Sequence, residues 1–268
     1  MTEVNLLLLH RLATIGRLTR RILRATLITL SAAWGVVIEA LSVGNWRRTV
    51  RLEFRSTLVQ ATGGGLISTL VTGALVGFAL VAQTIYWLGI AGMADAANAL
   101  IITILVREVA PVLVSIILLG RSGMLSLAQL GQLTLGREMR VLRGMGIDPF
   151  LMFVMPRVLA MTVSAFTLGV VFSVMSLVSG YAVCRFESVI SVPLWTFLYE
   201  VTGAMQPIDY LAIPLKFLVS GFSLSLSTCL TALDVRHDDD FSTLLPKGFM
   251  SGMLAILVVN VALGIIFG

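Results

Sequence analysis

Five stretches of this sequence, residues 63–90, 98–120, 150–182, 210–233 and 248–267, stay apolar for long enough to cross a bilayer. A helix of about 20 residues rises about 30 Å, the thickness of the hydrocarbon core, and within that layer every backbone N–H and C=O must find its partner inside the protein. A helix satisfies this condition alone, so the pattern predicts an all-α polytopic membrane protein with about five transmembrane helices. Charged residues make up only 12% of the chain, about half their share in soluble domains. No stretch remains for a soluble enzyme domain.

Orientation follows from the basic residues. Of the 19 lysines and arginines, nine fall in 1–62, five in 121–157 and two in 234–247, all on one side of the five crossings. The positive-inside rule makes that side cytoplasmic. Residues 22–44 are apolar enough to span, but arginines flank them on both sides: Arg17, Arg20, Arg21 and Arg24 before, Arg47, Arg48, Arg51 and Arg55 after. A crossing would strand one cluster outside. The expectation is therefore an N-terminal interfacial helix on the inner surface, with Trp34 and Trp46 at headgroup depth. This divides the chain into a cytoplasmic and interfacial segment, 1–62, and a membrane domain, 63–268. The apolar run at 6–9 is far shorter than a signal-peptide core, so the N-terminus is expected to be retained. Outside, the connections are 91–97 and 183–209, the second carrying a short interfacial helix around Pro193, Trp195 and Tyr199. Cys184 and Cys229 read as small apolar fillers.

Between spans two and three the apolar pattern is interrupted by "LGREMRVLRGMGIDPFLMFVMPRVLAM", 135–161. Leu135, Met139 and Leu142 recur at helical spacing on one face, and Arg137, Arg140 and Arg143 on another. Gly144 and Gly146 mark the helix end, and the turn at Asp148 and Pro149 redirects the chain into the next span. Such a helix moves with both spans and so offers a handle for a soluble partner; a solvated connection obeying the positive-inside rule is the other reading.

The order of residues in this region resembles two known patterns. Glu138, Gly144 and the "VMP" at Val154, Met155 and Pro156 partly match the Glu-Ala-Ala loop of bacterial ABC importers, although both alanines are absent. A longer match is to the MlaE/YrbE permease family. Its motifs appear here in order as Arg107, Glu108 and Pro111, then "GRSG" from Gly120, then Glu138 and Leu142, then Gly146, Asp148 and Pro149, then Pro156 and Arg157. The chain departs from the family at Arg140, where members often carry an acid, and in "DVRHDDDFSTLLPKG", where members have a glycine-rich loop.

This resemblance implies a homodimeric permease subunit of an ABC transporter. Its partners would be two ABC ATPase subunits, an MCE-domain ring outside the inner membrane and a small STAS-domain regulator. The cargo would be phospholipid or a related lipid. It also implies a coupling helix around Glu138 to Gly144, with Arg137, Glu138, Leu142, Gly144, Asp148 and Pro149 meeting the ATPase. ATP and Mg would be bound by that partner, because this sequence contains no phosphate-cradling Gly-x-x-x-x-Gly-Lys-Ser/Thr loop and the chain itself is expected to be no enzyme and to hold no cofactor.

Polar residues within the spans are the candidate substrate contacts. Arg107 and Glu108 lie about ten residues into the second run, where charge costs a few kcal/mol and usually faces a cavity or a partner. Neighbours on a helix point about 100° apart, so each needs its own partner. A structural pair that fixes helix packing is the alternative. Leu80, Gln83, Tyr86 and Trp87 share one face of the first span, with Gln83 readable also as interhelical glue. In the MlaE-like family, the Arg-Glu pair and positions similar to these line the lipid cavity. Gly73 with Gly77, and Gly248 with Gly252, are read as close-packing pairs. His237 with Asp238, Asp239 and Asp240 is read as a solvated loop, since four adjacent residues cannot converge on one metal ion. The rival function is an ATP-independent secondary transporter or channel, which ordinarily shows inverted repeats and several intramembrane acids.

Overall fold

The computed structural model describes residues 20, 23–24, 26–91, 101–186, 193–234 and 241–267. The stretches and residues read above at 6–9, Arg17, Arg21, 92–97 and His237 to Asp240 lie outside these residues. The described chain is all α. In order it forms α1 (Thr26–Leu41), α2 (Arg48–Ala91), α3 (Thr103–Leu135), α4 (Glu138–Gly144), α5 (Phe150–Phe186), α6 (Leu194–Gly203), α7 (Asp209–Leu233) and α8 (Phe241–Phe267). Five of these, α2, α3, α5, α7 and α8, are long and apolar enough to cross a membrane, so the chain is a multi-pass membrane protein.

The spans are longer than the hydropathy pattern alone indicates. Helix α2 begins at Arg48 rather than 63, and α3 extends from Thr103 to Leu135 rather than stopping at 120. Hydropathy locates the edge of the bilayer, and a helix does not end there when its backbone bonds continue. In α3 the "GRSG" motif, at which the apolar run stops, is absorbed by wider π-type turns over Leu119–Gly123. Such turns bulge a helix without ending it. One consequence is that α2 crosses the 62/63 position without interruption.

At the basic end, the described stretch of α1, Thr26–Leu41, packs along the bundle. Val36 on its inner face is buried beside Leu127, Leu130, Met139 and Val154, with Ala32, Ala33 and Ala40 packed around it, while Leu27, Leu30, Trp34 and Leu41 are exposed. A single 3₁₀ turn, Val43–Asn45, then leads into α2. It is stapled by the Asn45 amide donating to the Glu39 carboxylate and by Trp46 Nε1 donating to the Ala40 carbonyl at 3.0 Å. The Trp46 ring stands edge-on to Phe54 at 5.6 Å.

Packing centres on α5, which lies between α2 and α7, while α8 packs against α7 and α3. At Gly73 an added Cβ would approach the Phe172 carbonyl oxygen at 3.2 Å, and at Gly77 it would collide with the backbone of Ser176. Close approach of α2 to α5 thus requires both glycines. Gly248 and Gly252 let α8 sit on Leu127 and Leu119 of α3 in the same way. The apolar core forms layers along the bundle, around Leu127, Val158 and Leu244 at the basic end, Val114, Leu168 and Phe217 in the middle, and Val81, Leu105 and Cys184 at the far end.

Candidate functional site

At the far end, α3, α7 and α8 meet around four charged side chains. Arg107 and Glu108 do not satisfy each other: the closest approach, Nε to Oε1, is 3.9 Å. Each is instead held by another helix. Arg107 Nη1 lies 3.2 Å from Asp209 Oδ1, and Nη2 donates to the carbonyl of Phe267. Glu108 Oε1 accepts from Lys216 Nζ at 2.6 Å, and the same ammonium donates to the Arg107 carbonyl at 3.2 Å.

The positions of these partners explain the arrangement. Asp209 is the first residue of α7, and its Oδ2 accepts the Gln206 N–H at 2.9 Å. Phe267 is the last residue of α8. Arg107 thus brings its positive charge to the carbonyl end of one helix, where cations are favoured, while Asp209 occupies the amide end of another, where anions are. The Arg107–Asp209 half of the cluster thus sits at the ends of α7 and α8, while Lys216 holds Glu108 from about two turns inside α7.

Burial divides the four groups. Lys216 is 0% exposed and Asp209 and Arg107 are buried, whereas the Glu108 side chain keeps 46% of its surface. The carboxylate borders a groove between α3 and α8 whose other walls include Val112, Leu113, Leu257, Asn260 and Gly264. Asn260 is fixed by donating to Ser220 Oγ at 3.0 Å and to the Ile256 carbonyl at 2.9 Å. The arrangement can therefore present one charged oxygen edge to a molecule in an otherwise apolar groove. It is backed by a cation that cannot itself reach solvent.

The α2 candidates lie apart. Leu80 is partly buried against Leu105 and Val81. Gln83, Tyr86 and Trp87 are exposed, with the Tyr86 and Trp87 rings edge-to-face at 5.7 Å. None of the three contributes to the ion pairs or to the groove around Glu108.

At the basic end, α3 and α5 are joined by the hairpin that carries α4. Leu135 closes α3, and Arg137 adopts a left-handed conformation (φ 60°) that starts α4 at Glu138. Arg137 therefore sits in the turn and not on the helix face. Met139 is buried and Leu142 packs beside it among Val154, Leu130 and Val36. Arg137, Glu138, Arg140 and Arg143 are exposed. The helix ends as its glycines predict: Gly146 has φ 77°, its N–H bonds the Arg143 carbonyl at 3.0 Å, and the Ile147 N–H bonds the Leu142 carbonyl at 3.0 Å. These two bonds form a Schellman motif. Asp148 Oδ1 then accepts the Phe150 N–H at 3.0 Å, while Pro149 is buried. The tip also exposes apolar side chains, Val141 at 60% and Met145 at 62%.

Sequence reasoning missed the support behind this hairpin. Arg157, buried in α5, holds Glu53 of α2 through Nε at 2.8 Å and Nη2 at 2.7 Å, and its Nη1 donates to the Ser126 carbonyl of α3 at 3.3 Å. It also missed Asp209, Lys216 and Asn260. The lysine was the available signal, since it is a cation inside an apolar run and is left over from the charge sorting. Among the described residues, no three His, Cys, Asp or Glu side chains gather as metal ligands would.

Comparison with known proteins gives a consistent result. The profile of the family described as Permease MlaE matches residues 54–266, from the second turn of α2 to the end of α8. Protein TRIGALACTOSYLDIACYLGLYCEROL 1, chloroplastic, of Arabidopsis thaliana is 26% identical over 189 residues, covering 67% of this chain and 51% of that protein. Probable ABC transporter permease protein RP096 of Rickettsia prowazekii (strain Madrid E) is 26% identical over 125 residues, covering 47% of this chain and 48% of that protein. The match thus spans about half the length of each of these curated relatives.

Proposed function

This chain belongs to the MlaE permease family, and from that premise we propose that it is the membrane subunit of an ATP-driven ABC transporter moving phospholipid or a related lipid. In this reading it sits in a bacterial inner membrane as a homodimer, passes lipid to or from an MCE-type partner outside, and takes its energy from ATPase subunits bound to α4. A STAS-domain regulator belongs to the same assembly. The names of the two relatives support the reading, since one contains a diacylglycerol glycolipid and the other the words ABC transporter permease.

One observation carries the proposal: the tip of the α4 hairpin exposes Val141 and Met145 between exposed arginines while Met139 and Leu142 anchor it to the bundle. A connection that had only to be solvated gains nothing from bare apolar side chains in water, whereas a docking helix needs them. Arg157 and Glu53 stiffen the base on which the hairpin stands, so that a push on α4 reaches α2, α3 and α5 together. Cargo would meet Glu108 in the groove at the other end, with Arg107 acting through the position it gives its neighbour. Leu80, Gln83, Tyr86 and Trp87 would complete the cavity in the dimer.

The test is purification of the tagged full chain from its native host. A nucleotide-binding subunit should copurify, and Glu138→Arg or Gly144→Pro should release it while the chain stays in the membrane. A lone chain that transports lipid in vesicles without any ATPase would overturn the proposal.

A further inference from the structure

A second concavity lies between α5, α6 and α7. Val106 of α3 lines it, and Val106 and Glu108, two residues apart on one helix, point to roughly opposite flanks. The cavity is therefore separate from the Glu108 groove. Its other walls include Val170 and Val174 of α5, Met205 beyond α6, and Ile213 and Phe217 of α7, and it encloses about 640 Å³ counting its open mouth.

Three features shape it for an apolar occupant. Its hydroxyls are turned away: Ser173 Oγ donates to the Gly169 carbonyl at 2.9 Å and Thr202 Oγ1 to the Leu198 carbonyl at 2.8 Å. Pro214, which has no N–H to offer, lies in its wall. Gly169 leaves room for the Phe217 ring to close against α5 and form the floor. The roof is α6, whose Phe197 and Val201 are buried against Leu177 and Tyr181 while Trp195 and Tyr199 face outward. The mouth opens sideways between exposed Phe166, Val170 and Val174, all within the membrane-crossing part of α5.

We propose that this cavity binds one acyl chain of a lipid from the leaflet at the far end, entering sideways between α5 and α7 beneath α6. At that depth the surrounding material is hydrocarbon, and a site walled almost wholly by apolar surface selects a chain over a headgroup or an exposed peptide backbone. A transmembrane helix, at least about 10 Å across, would cover the mouth and not enter it. A convex helix face is wetted by exchanging bilayer chains, whereas a roofed and floored cavity retains one. The proposal requires only that the chain spans a bilayer. It stands or falls independently of the ATPase and of the cargo.

The full chain, reconstituted in phosphatidylethanolamine and phosphatidylglycerol vesicles, would be irradiated with a phosphatidylcholine bearing a diazirine along one acyl chain. Adducts would then be mapped by mass spectrometry. Adducts should concentrate at Met205 and Val170 over Val71 and Leu75, which are more exposed on α2. Filling the mouth with Val174→Trp, or separately with Val170→Trp, should lower the Met205 adduct about tenfold, as for loss of a single-site equilibrium. Adducts on α2 should not change, which also reports intact insertion. Even labelling of α2 and α5, an unchanged Met205 adduct in both variants, or capture of a protein segment at the mouth would overturn the proposal.

Discussion

A buried arginine ties three helices together at each end of the bundle, and the two differ in what surrounds them. Arg157 at the basic end joins α5 to Glu53 of α2 and to the backbone of α3, inside a closed apolar layer. Arg107 at the far end joins α3 to Asp209 of α7 and to the last carbonyl of α8, and beside it a second pair leaves Glu108 half open to a groove. The first arrangement completes itself within the bundle. The second keeps one carboxylate edge available to another molecule, as a binding site must. Rigidity at the end where force would enter, and an unfinished polar surface at the end where cargo would sit, is the division of labour expected of a machine worked from outside the membrane.

The largest expected effect comes from breaking the far end. Arg107→Met leaves Asp209, nearly fully buried, with no cation and the Phe267 carbonyl with no donor. Removing one partner of a buried pair costs about 3–5 kcal/mol, so the denaturation midpoint in mixed micelles should fall steeply. Adding Asp209→Leu should recover most of the loss, because an apolar pair of similar volume leaves no orphan charge. Arg157→Met should cost less, about 2 kcal/mol, the range for a hydrogen bond to a charged group. Its partner Glu53 keeps 27% of its side-chain surface and can rehydrate. An Arg157 variant less stable than the Arg107 variant would invert the contrast.

The hairpin offers a smaller and more local test. Gly146 holds φ 77° with no side chain within 4 Å of where a Cβ would stand, so Gly146→Val meets only the backbone penalty, about 1–2 kcal/mol for a left-handed L-residue. The amides of Gly146 and Ile147 should lose protection in hydrogen exchange, while the global midpoint, set by the apolar layers, should stay near wild type. A fall in the global midpoint would mean that the turn after α4 unfolds only together with the core to which Met139 and Leu142 anchor the helix.

Much of this was legible in the sequence because membranes impose strict rules. Runs of apolar residues gave the five spans, flanking arginines gave α1 its place at the basic end, and two glycines with an Asp-Pro turn gave the end of α4. The start of α2 and the end of α3 were not legible, because Arg48 and Leu135 lie beyond the hydrophobic edge and no backbone rule stops a helix there. Nor were the partners of Arg107 and Glu108. An isolated sequence shows that a charge within a span needs a partner, and Lys216 announces itself as one by its place in an apolar run. Which carboxylate meets which cation depends on how α3, α7 and α8 are rotated against one another. Asp209 was the harder case, since at the head of α7 it resembles an ordinary flanking acid.

Glu108→Gln has the smallest expected effect on stability and the sharpest consequence for function. A glutamine oxygen can still accept from Lys216, and water or an anion in the open groove beside Glu108 can replace the lost charge, so the loss should stay well below that of Arg107→Met. The charge balance nevertheless changes. Arg107 and Lys216 are matched by Asp209 and Glu108 in the native cluster, and the variant leaves one uncompensated positive charge beside an open groove. Such a charge is relieved most cheaply by an anion from outside the chain. Lipid extracted with the Glu108→Gln protein should therefore shift toward anionic headgroups when purified from the same membranes, with the denaturation midpoint nearly unmoved. If the midpoint instead falls as far as in Arg107→Met and the lipid composition stays constant, Glu108 is a structural strut like Glu53, and the two ends of the bundle do not differ in kind.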